Sequence, residues 1–282
     1  MPLIMLVLSL ALLFYTGTGN ASTVILTGAC HTSFGAGAAN GTIRFTLSDM
    51  GNGTATNMIV VPHIDGASTS NSSEAYSLLA PFANHTFDFK LYNASVPGLY
   101  PDSFTIEYTQ GSASVFEVFP CLSNIKANTT SLVSIIGMSK KGNKITANLY
   151  SLSPKPINVT LSTAVPPNIG SIPSNITVLM QPNSEYNATF NITTRNVTGY
   201  GSLSNISFTF SVFISYTESN LHYSSLGVMS ITQNSPVPHP FPIFLISVIT
   251  IFIAVIALIV LSLLKGKDRR RSMHKEAADK DA

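Results

Sequence analysis

Short runs of β-branched and aromatic residues, separated by Gly, Asn, Pro or Ser and never spaced at a helical period, most narrow what this chain can fold into. IRFTL (43–47), MIVVPHI (58–64), TFDFKLY (86–92), SFTIEYT (103–109) and SVFEVF (114–119) follow one another in this way. Several alternate apolar with polar, which is how a strand with one buried face reads. The pattern predicts an all-β sandwich.

The plan repeats. KITANLYSLSPKPINVTLSTAVPPNI (144–169) has the strand, turn, strand order of TIRFTLSDMGNGTATNMIVVPHI (42–64). LLAPFANHTFDF (78–89) is matched by VLMQPNSEYNATF (178–190), which sets Pro81 and Pro182 about a hundred residues apart, and Tyr108 of IEYT answers Tyr216 of ISYT. A period that long implies two domains of one architecture, expected at 22–125 and 126–233.

The two ends of the 282-residue chain carry targeting signals. Residues 1–15 are almost wholly apolar and lead into TGTGNA, where Gly19 and Ala21 suit a signal peptidase, so 1–21 reads as a signal peptide. No Lys or Arg precedes the apolar run, which leaves an uncleaved anchor as the alternative. Residues 241–264 hold no charge, and at 1.5 Å per residue a helix there reaches ~36 Å, enough to cross a bilayer. Lys265, Lys267, Arg269, Arg270 and Arg271 follow at once, which places the tail 265–282 in the cytoplasm and the bulk outside. Residues 234–240, NSPVPHP, read as a semi-rigid spacer. The expected location is the plasma membrane, spanned once in the type I sense.

The net charge of +2 hides an asymmetry, because the tail holds seven of the fifteen Lys and Arg. Residues 22–238 carry eight basic and nine acidic side chains, too balanced to displace counterions from nucleic acid.

Asn-X-Ser/Thr acceptors begin at Asn40, Asn52, Asn71, Asn84, Asn93, Asn128, Asn158, Asn175, Asn187, Asn191, Asn196 and Asn205. Chance would place roughly four or five in a chain of this composition, so the excess points to a glycosylated exterior. Passive accumulation in an Asn- and Thr-rich β protein is the alternative. The two cysteines, Cys30 and Cys121, are most simply one disulfide in an oxidising compartment.

The stretch SDMGNGTATNMIVV (48–61) resembles the start of a phosphate cradle, but no lysine and no helical pattern follow its glycines. It reads as a strand-connecting turn in which Gly51 and Gly53 supply positive φ around the acceptor Asn52. Asp49 with Asp65, or Glu107 with Glu117, are conceivable carboxylate pairs. Asp49 with Asp65-Gly66 is a conceivable calcium loop, yet the acid spacing matches no established site. His63 and His85 read as strand-edge residues, and no hydrolase or metalloprotease motif occurs. No catalytic residue, metal site or cofactor is therefore expected.

Gly51, Gly53, Ala55 and Asn57, then Pro81, then Pro97, Gly98 and Tyr100, with Tyr108 closing, form a pattern over 42–118. It is similar to the immunoglobulin-like modules of microbial, especially archaeal, cell-surface proteins of the CARDB-like or NEW3-like kind. The second unit fits more loosely, with SPKPIN in place of the glycine turn and no P-G-x-Y. The resemblance implies two tandem immunoglobulin-like β-sandwich domains followed by one transmembrane helix, with a spacing, scaffold or adhesion role and no active site. The expected function is a type I surface glycoprotein acting by contact with a protein or envelope partner. Accessory subunit of a membrane enzyme or transporter, and extracellular hydrolase, are the alternatives.

Overall fold

The computed structural model describes residues 22–34, 40–94, 96–194 and 205–234. The expected signal peptide, the apolar segment 241–264, the basic tail and Asn196 lie outside the described residues. Among the described residues no helix is long and apolar enough to cross a membrane.

The fold is all-β. Its first half comprises β1 (Leu26–Phe34), β2 (Gly41–Asp49), β3 (Ala55–Ile64), β4 (Ser68–Thr69), β5 (Glu74–Leu79), β6 (Asn84–Tyr92), β7 (Gly98–Gln110) and β8 (Ala113–Ile125). The second comprises β9 (Val133–Lys141), β10 (Lys144–Ser151), β11 (Ile157–Ala164), β12 (Ile169–Ile172), β13 (Asn175–Met180), β14 (Glu185–Thr194), β15 (Asn205–Glu218) and β16 (Leu221–Asn234).

Pairing repeats with the sequence. β1-β2-β6-β4 form one sheet and β9-β10-β14-β12 another, strand for strand. Facing them, β5-β3-β7-β8 correspond to β13-β11-β15-β16. The last two groups are one continuous sheet, because β16 pairs with β7 in parallel where His222 meets Gly98.

Alternation explains which face goes inward. Ile43, Phe45 and Leu47 of β2 and Phe87, Phe89 and Leu91 of β6 meet Phe104, Ile106 and Tyr108 of β7 in the first core. Phe45 stacks on Phe104 at 4.2 Å between centroids, and Phe119 closes on Phe45 at 5.9 Å. The second core uses the corresponding positions: Ile145, Ala147 and Leu149, then Ala188, Phe190 and Ile192, then Phe210, Val212, Ile214 and Tyr216. Each buried Leu, Ile or Phe contributes about 1.5–3 kcal/mol, and that drives the pairing of sheets.

Turn chemistry closes the hairpins. Gly111 and Gly142 sit at φ +63° and +59° in two-residue turns between β7 and β8 and between β9 and β10. Ser219 and Asn220, at φ +52° and +60°, turn β15 into β16 as a type I′ pair. The strand prolines fall where no ladder bond is lost: β5 reaches β3 only as far as Val60, so Pro62 lies beyond it, and Pro101 lies beyond the end of β3.

The halves also pack face to face. Val118 of β8 and Ser211 and Phe213 of β15 are buried yet belong to neither core, and β15 lies against β8 and β7.

Candidate functional site

The two cysteines form the expected disulfide, joining β1 of one sheet to β8 of the facing sheet, with Cα atoms 6.3 Å apart. Of the twelve acceptors, Asn40, Asn52, Asn71, Asn84, Asn93, Asn128, Asn158, Asn175, Asn187 and Asn191 are all exposed. On β14, Asn187 and Asn191 point to the same side because four residues separate them in a strand of period two. Asn205 opens β15.

The glycine-flanked turn is more than a turn. Gly51 and Gly53 are absent from the positive-φ residues, which corrects the expectation for them. They are glycines because the segment preceding β1 lies on them: a Cβ on Gly51 would sit 2.0 Å from the Thr23 carbonyl oxygen, and one on Gly53 2.9 Å from the Thr23 carbonyl carbon. The segment is held by its backbone. Thr23 N donates to Asn52 Oδ1 at 2.7 Å, Gly53 N to Thr23 O at 2.9 Å, and Met50 N to Ile25 O at 2.7 Å. Asp49 Oδ1 accepts from Ile25 N at 3.2 Å and from Gly51 N at 2.8 Å, and Gln110 Nε2 donates to Ser22 O at 2.8 Å.

Neither candidate carboxylate pair forms. Glu107 and Glu117 lie on opposite faces of the β7–β8 hairpin, since Glu117 is paired with Ile106 and Glu107 with Phe116. Glu107 accepts from the Ser114 hydroxyl at 3.0 Å, whereas Glu117 accepts from the Tyr108 hydroxyl at 2.7 Å. Asp49 and Asp65 flank opposite ends of β3. Asp49 instead lies close enough to Glu117 to oppose its ionisation; burial is the larger cause, and together they push the Glu117 carboxyl up to about 7 against the pull of Tyr108.

Glu117 lines a cleft of about 810 Å³ where the halves meet, with Ile25, Phe116, Asn168 and Phe208 on its other walls. Its lining mixes apolar side chains with Glu117, Gln110, Asn168 and several Ser and Thr hydroxyls from both halves.

A second cluster, which the sequence did not reveal, surrounds the β7–β16 bridge. His222 N donates to Pro97 O at 2.9 Å, and its Nδ1–H donates to Leu99 O at 2.7 Å. The His222 ring stacks on Tyr100 at 3.9 Å and 5°. Thr129, between β8 and β9, donates its hydroxyl to His222 O at 2.8 Å and accepts from Leu99 N at 3.0 Å. Beneath it the buried Asp102 accepts from Asp65 N at 2.9 Å. Burial pushes the Asp102 carboxyl up to about 7, an effect that the Ser123 hydroxyl and the Asp65 amide only partly offset. Burial likewise raises Asp65, against the opposing charges of His222 and His63, and lowers His63. His63 bonds Thr105 through Nε2 at 3.0 Å, and His85 stacks on Tyr76 at 3.7 Å.

Among the described residues no group of three or more His, Cys, Asp or Glu is placed to hold a metal ion. Sequence reading had only the P-G-x-Y element as a pointer to this junction; His222 lies 124 residues beyond Gly98 in an unremarkable polar run.

No protein-family model matches the chain, and no curated protein matches it. Solved structures that share some arrangement with it include a protein of unknown function from Porphyromonas gingivalis W83, at 10% identity and a TM-score of 0.27, covering 71% of this chain and 98% of that one. The YadV chaperone shows 10% identity and a TM-score of 0.27 over 75% of this chain and 99% of its own. Red sea bream transglutaminase shows 10% identity and a TM-score of 0.25 over 77% of this chain and 32% of its own. Likeness at that level carries no argument about function.

Proposed function

We propose that the chain is a single-pass type I surface glycoprotein with two tandem immunoglobulin-like domains, acting without catalysis as an envelope scaffold, adhesion or interaction module. The observation that carries this reading is the exposure of Asn40, Asn52, Asn71, Asn84, Asn93, Asn128, Asn158, Asn175, Asn187 and Asn191. An N-glycan is bulky and hydrophilic, so acceptors arising passively in a folding core would include buried ones. The polar clusters inside the molecule fit a structural role. Asp102, Thr129 and His222 tie strands together, and Asp49 and Asn52 hold the segment before β1. A disulfide across the sheets suits an oxidising exterior.

The test is removal of N-glycans from protein purified from its native membrane. The apparent mass should fall by several glycans, and peptide mapping should place them on the exposed acceptors. An unshifted band with unmodified acceptor peptides sinks the glycoprotein reading.

A further inference from the structure

The cleft where the two halves meet, at about 810 Å³, has the size of a small-molecule site, for which ~300–1,000 Å³ is ordinary. Its first wall is one face of the β7–β8 hairpin. Tyr108 and Gln110 project from β7 on that side and Val115 and Glu117 from β8, because residues two apart in a strand share a face and Tyr108 is paired with Val115. Gln110 Nε2 donates to Ser22 O at 2.8 Å, which holds the segment before β1 in the lining. The opposite wall belongs to the second half. Asn168 and Ile169 come from the start of β12, and the buried Phe208 of β15 sits next to Ser207, whose hydroxyl lies 3.4 Å from that of Ser230 on β16.

The charge inside the cleft is one-sided. Glu117 is in neither of the described ion pairs, and no Lys, Arg or His is among the lining residues. Of the titratable groups that face Glu117, Tyr108 of β7 donates its hydroxyl at 2.7 Å and Asp49, at the end of β2, opposes its ionisation. The segment before β1, β15, β16 and the 166–169 connection bring no charged group to the lining. The tyrosine does not require a carboxyl as its partner. Tyr216, its counterpart in the second half, meets a backbone group instead, accepting from Leu132 N at 2.8 Å. A carboxyl taken out of water with no cation to meet it is costly, and Glu117 answers by holding its proton up to about 7.

We infer that this cleft binds a small organic ammonium compound, with the charged nitrogen on Glu117 and the apolar body against Phe208 and Ile169. An ammonium supplies the counter-charge that the lining lacks, and its bond to a carboxylate is of the strong, charge-assisted kind. The aromatic side chains of the cleft favour a cation over an anion as well. None of the lining residues is an acceptor asparagine, since Asn168 is followed by Ile and Gly. The site is built from described residues alone and holds whether or not the chain spans a membrane.

The experiment titrates the full chain, purified in detergent with its glycans in place, with 2-phenylethylamine and with the neutral analogue 2-phenylethanol, by saturation-transfer NMR and amide exchange. At about pH 8 the amine should bind about ten-fold or more tightly than the alcohol. Glu117→Gln keeps the shape of the side chain and an acceptor for Tyr108; it should abolish that margin and leave the alcohol's affinity unchanged, which also reports that the variant is folded. Between about pH 6 and pH 8, where the amine stays charged, its affinity for the wild type should rise about ten-fold as Glu117 gives up its proton, and its affinity for the variant should stay flat. Slowed amide exchange should fall on 113–117 and on 207–209, one wall from each half. Equal affinity for amine and alcohol, a margin that survives Glu117→Gln, protection elsewhere than on these walls, or no saturable binding overturns the inference. Binding that appears only once the N-glycans are removed overturns it too, because the chain's own glycans would then shut the cleft.

Discussion

At the scale of single residues, two kinds of side-chain chemistry make opposite demands. Gly51 and Gly53 are defined by what an added methyl would strike, the backbone of Thr23, which cannot yield as a flexible side chain does. Gly51→Ala should lower stability by about 1–3 kcal/mol in urea unfolding, through overpacking. Gly111→Ala meets nothing within 4 Å and should show only the smaller cost of positive φ, about 1 kcal/mol. Equal losses would mean that the segment before β1 does not press on the turn. Asp102 and Glu117 present the other demand. Each has a folded pKa of about 7, above ordinary values of 3.8 and 4.5, so the folded state holds protons that the unfolded state has released. Stability is therefore greatest in acid and falls as pH rises from about 4 through 7, by at most ~4 kcal/mol per group. His63 works in reverse, its lowered pKa costing stability as the medium becomes more acidic than its ordinary 6.5. Asp102→Asn should raise the urea midpoint most at pH 8, less at about pH 5, and hardly at all near pH 3; a variant that tracks wild type across that range would show that Asp102 does not carry the effect. The glycines were visible in the sequence and their reason was not, because the residues that exclude a Cβ lie nearly thirty positions upstream.

At the scale of elements, alternation made the strands with one buried face legible, β2, β3, β6 and β7 above all. Strand β1, LTGACHTSF, was not legible: only its first residue is fully buried, and it is a strand because β2 offers a ladder along its whole length. Strand β8 runs past its apolar start through PCLSNI, where Pro120 sits on an edge strand that needs no further donor. The parallel β7–β16 bridge lay beyond any local pattern, since parallel pairing has no turn to announce it. Its geometry depends on Gly98, at φ +149°, where a Cβ would stand 2.1 Å from His222 O. Gly98→Ala should break the bridge, speed amide exchange at Leu99 and His222 and expose the 126–132 connection to protease. His222→Ala, which removes the stack on Tyr100 and the bond to Leu99 while sparing Gly98, should do the same more mildly. Unchanged exchange in both variants would show that the halves are held by the packing of β15 on β8 rather than by the bridge.

At the scale of the whole molecule, repetition in the sequence corresponds to repetition of topology, yet the halves are not equivalent. The first has an aromatic core and a disulfide; the second has a largely aliphatic core and, among the described residues, no crosslink. Closing a loop across a sequence separation of 91 restrains the unfolded first half by about 4.5 kcal/mol in the chain-entropy account. That contribution belongs to one half, whereas the shared sheet and the buried face between β15 and β8 couple both. If coupling is the weaker effect, Cys30→Ser with Cys121→Ser should split a single unfolding transition into two, with amides around Phe45 and Phe104 exchanging before those around Phe190 and Phe210. The continuous sheet is joined by a single residue pair and the face packing adds few buried side chains, so we expect the split. Hydrogen exchange of the oxidised protein and of the double variant in rising urea decides the matter: two separated waves of exchange in the variant follow from weak coupling, and one common wave, shifted as a whole to lower urea, would make the described chain a single cooperative unit.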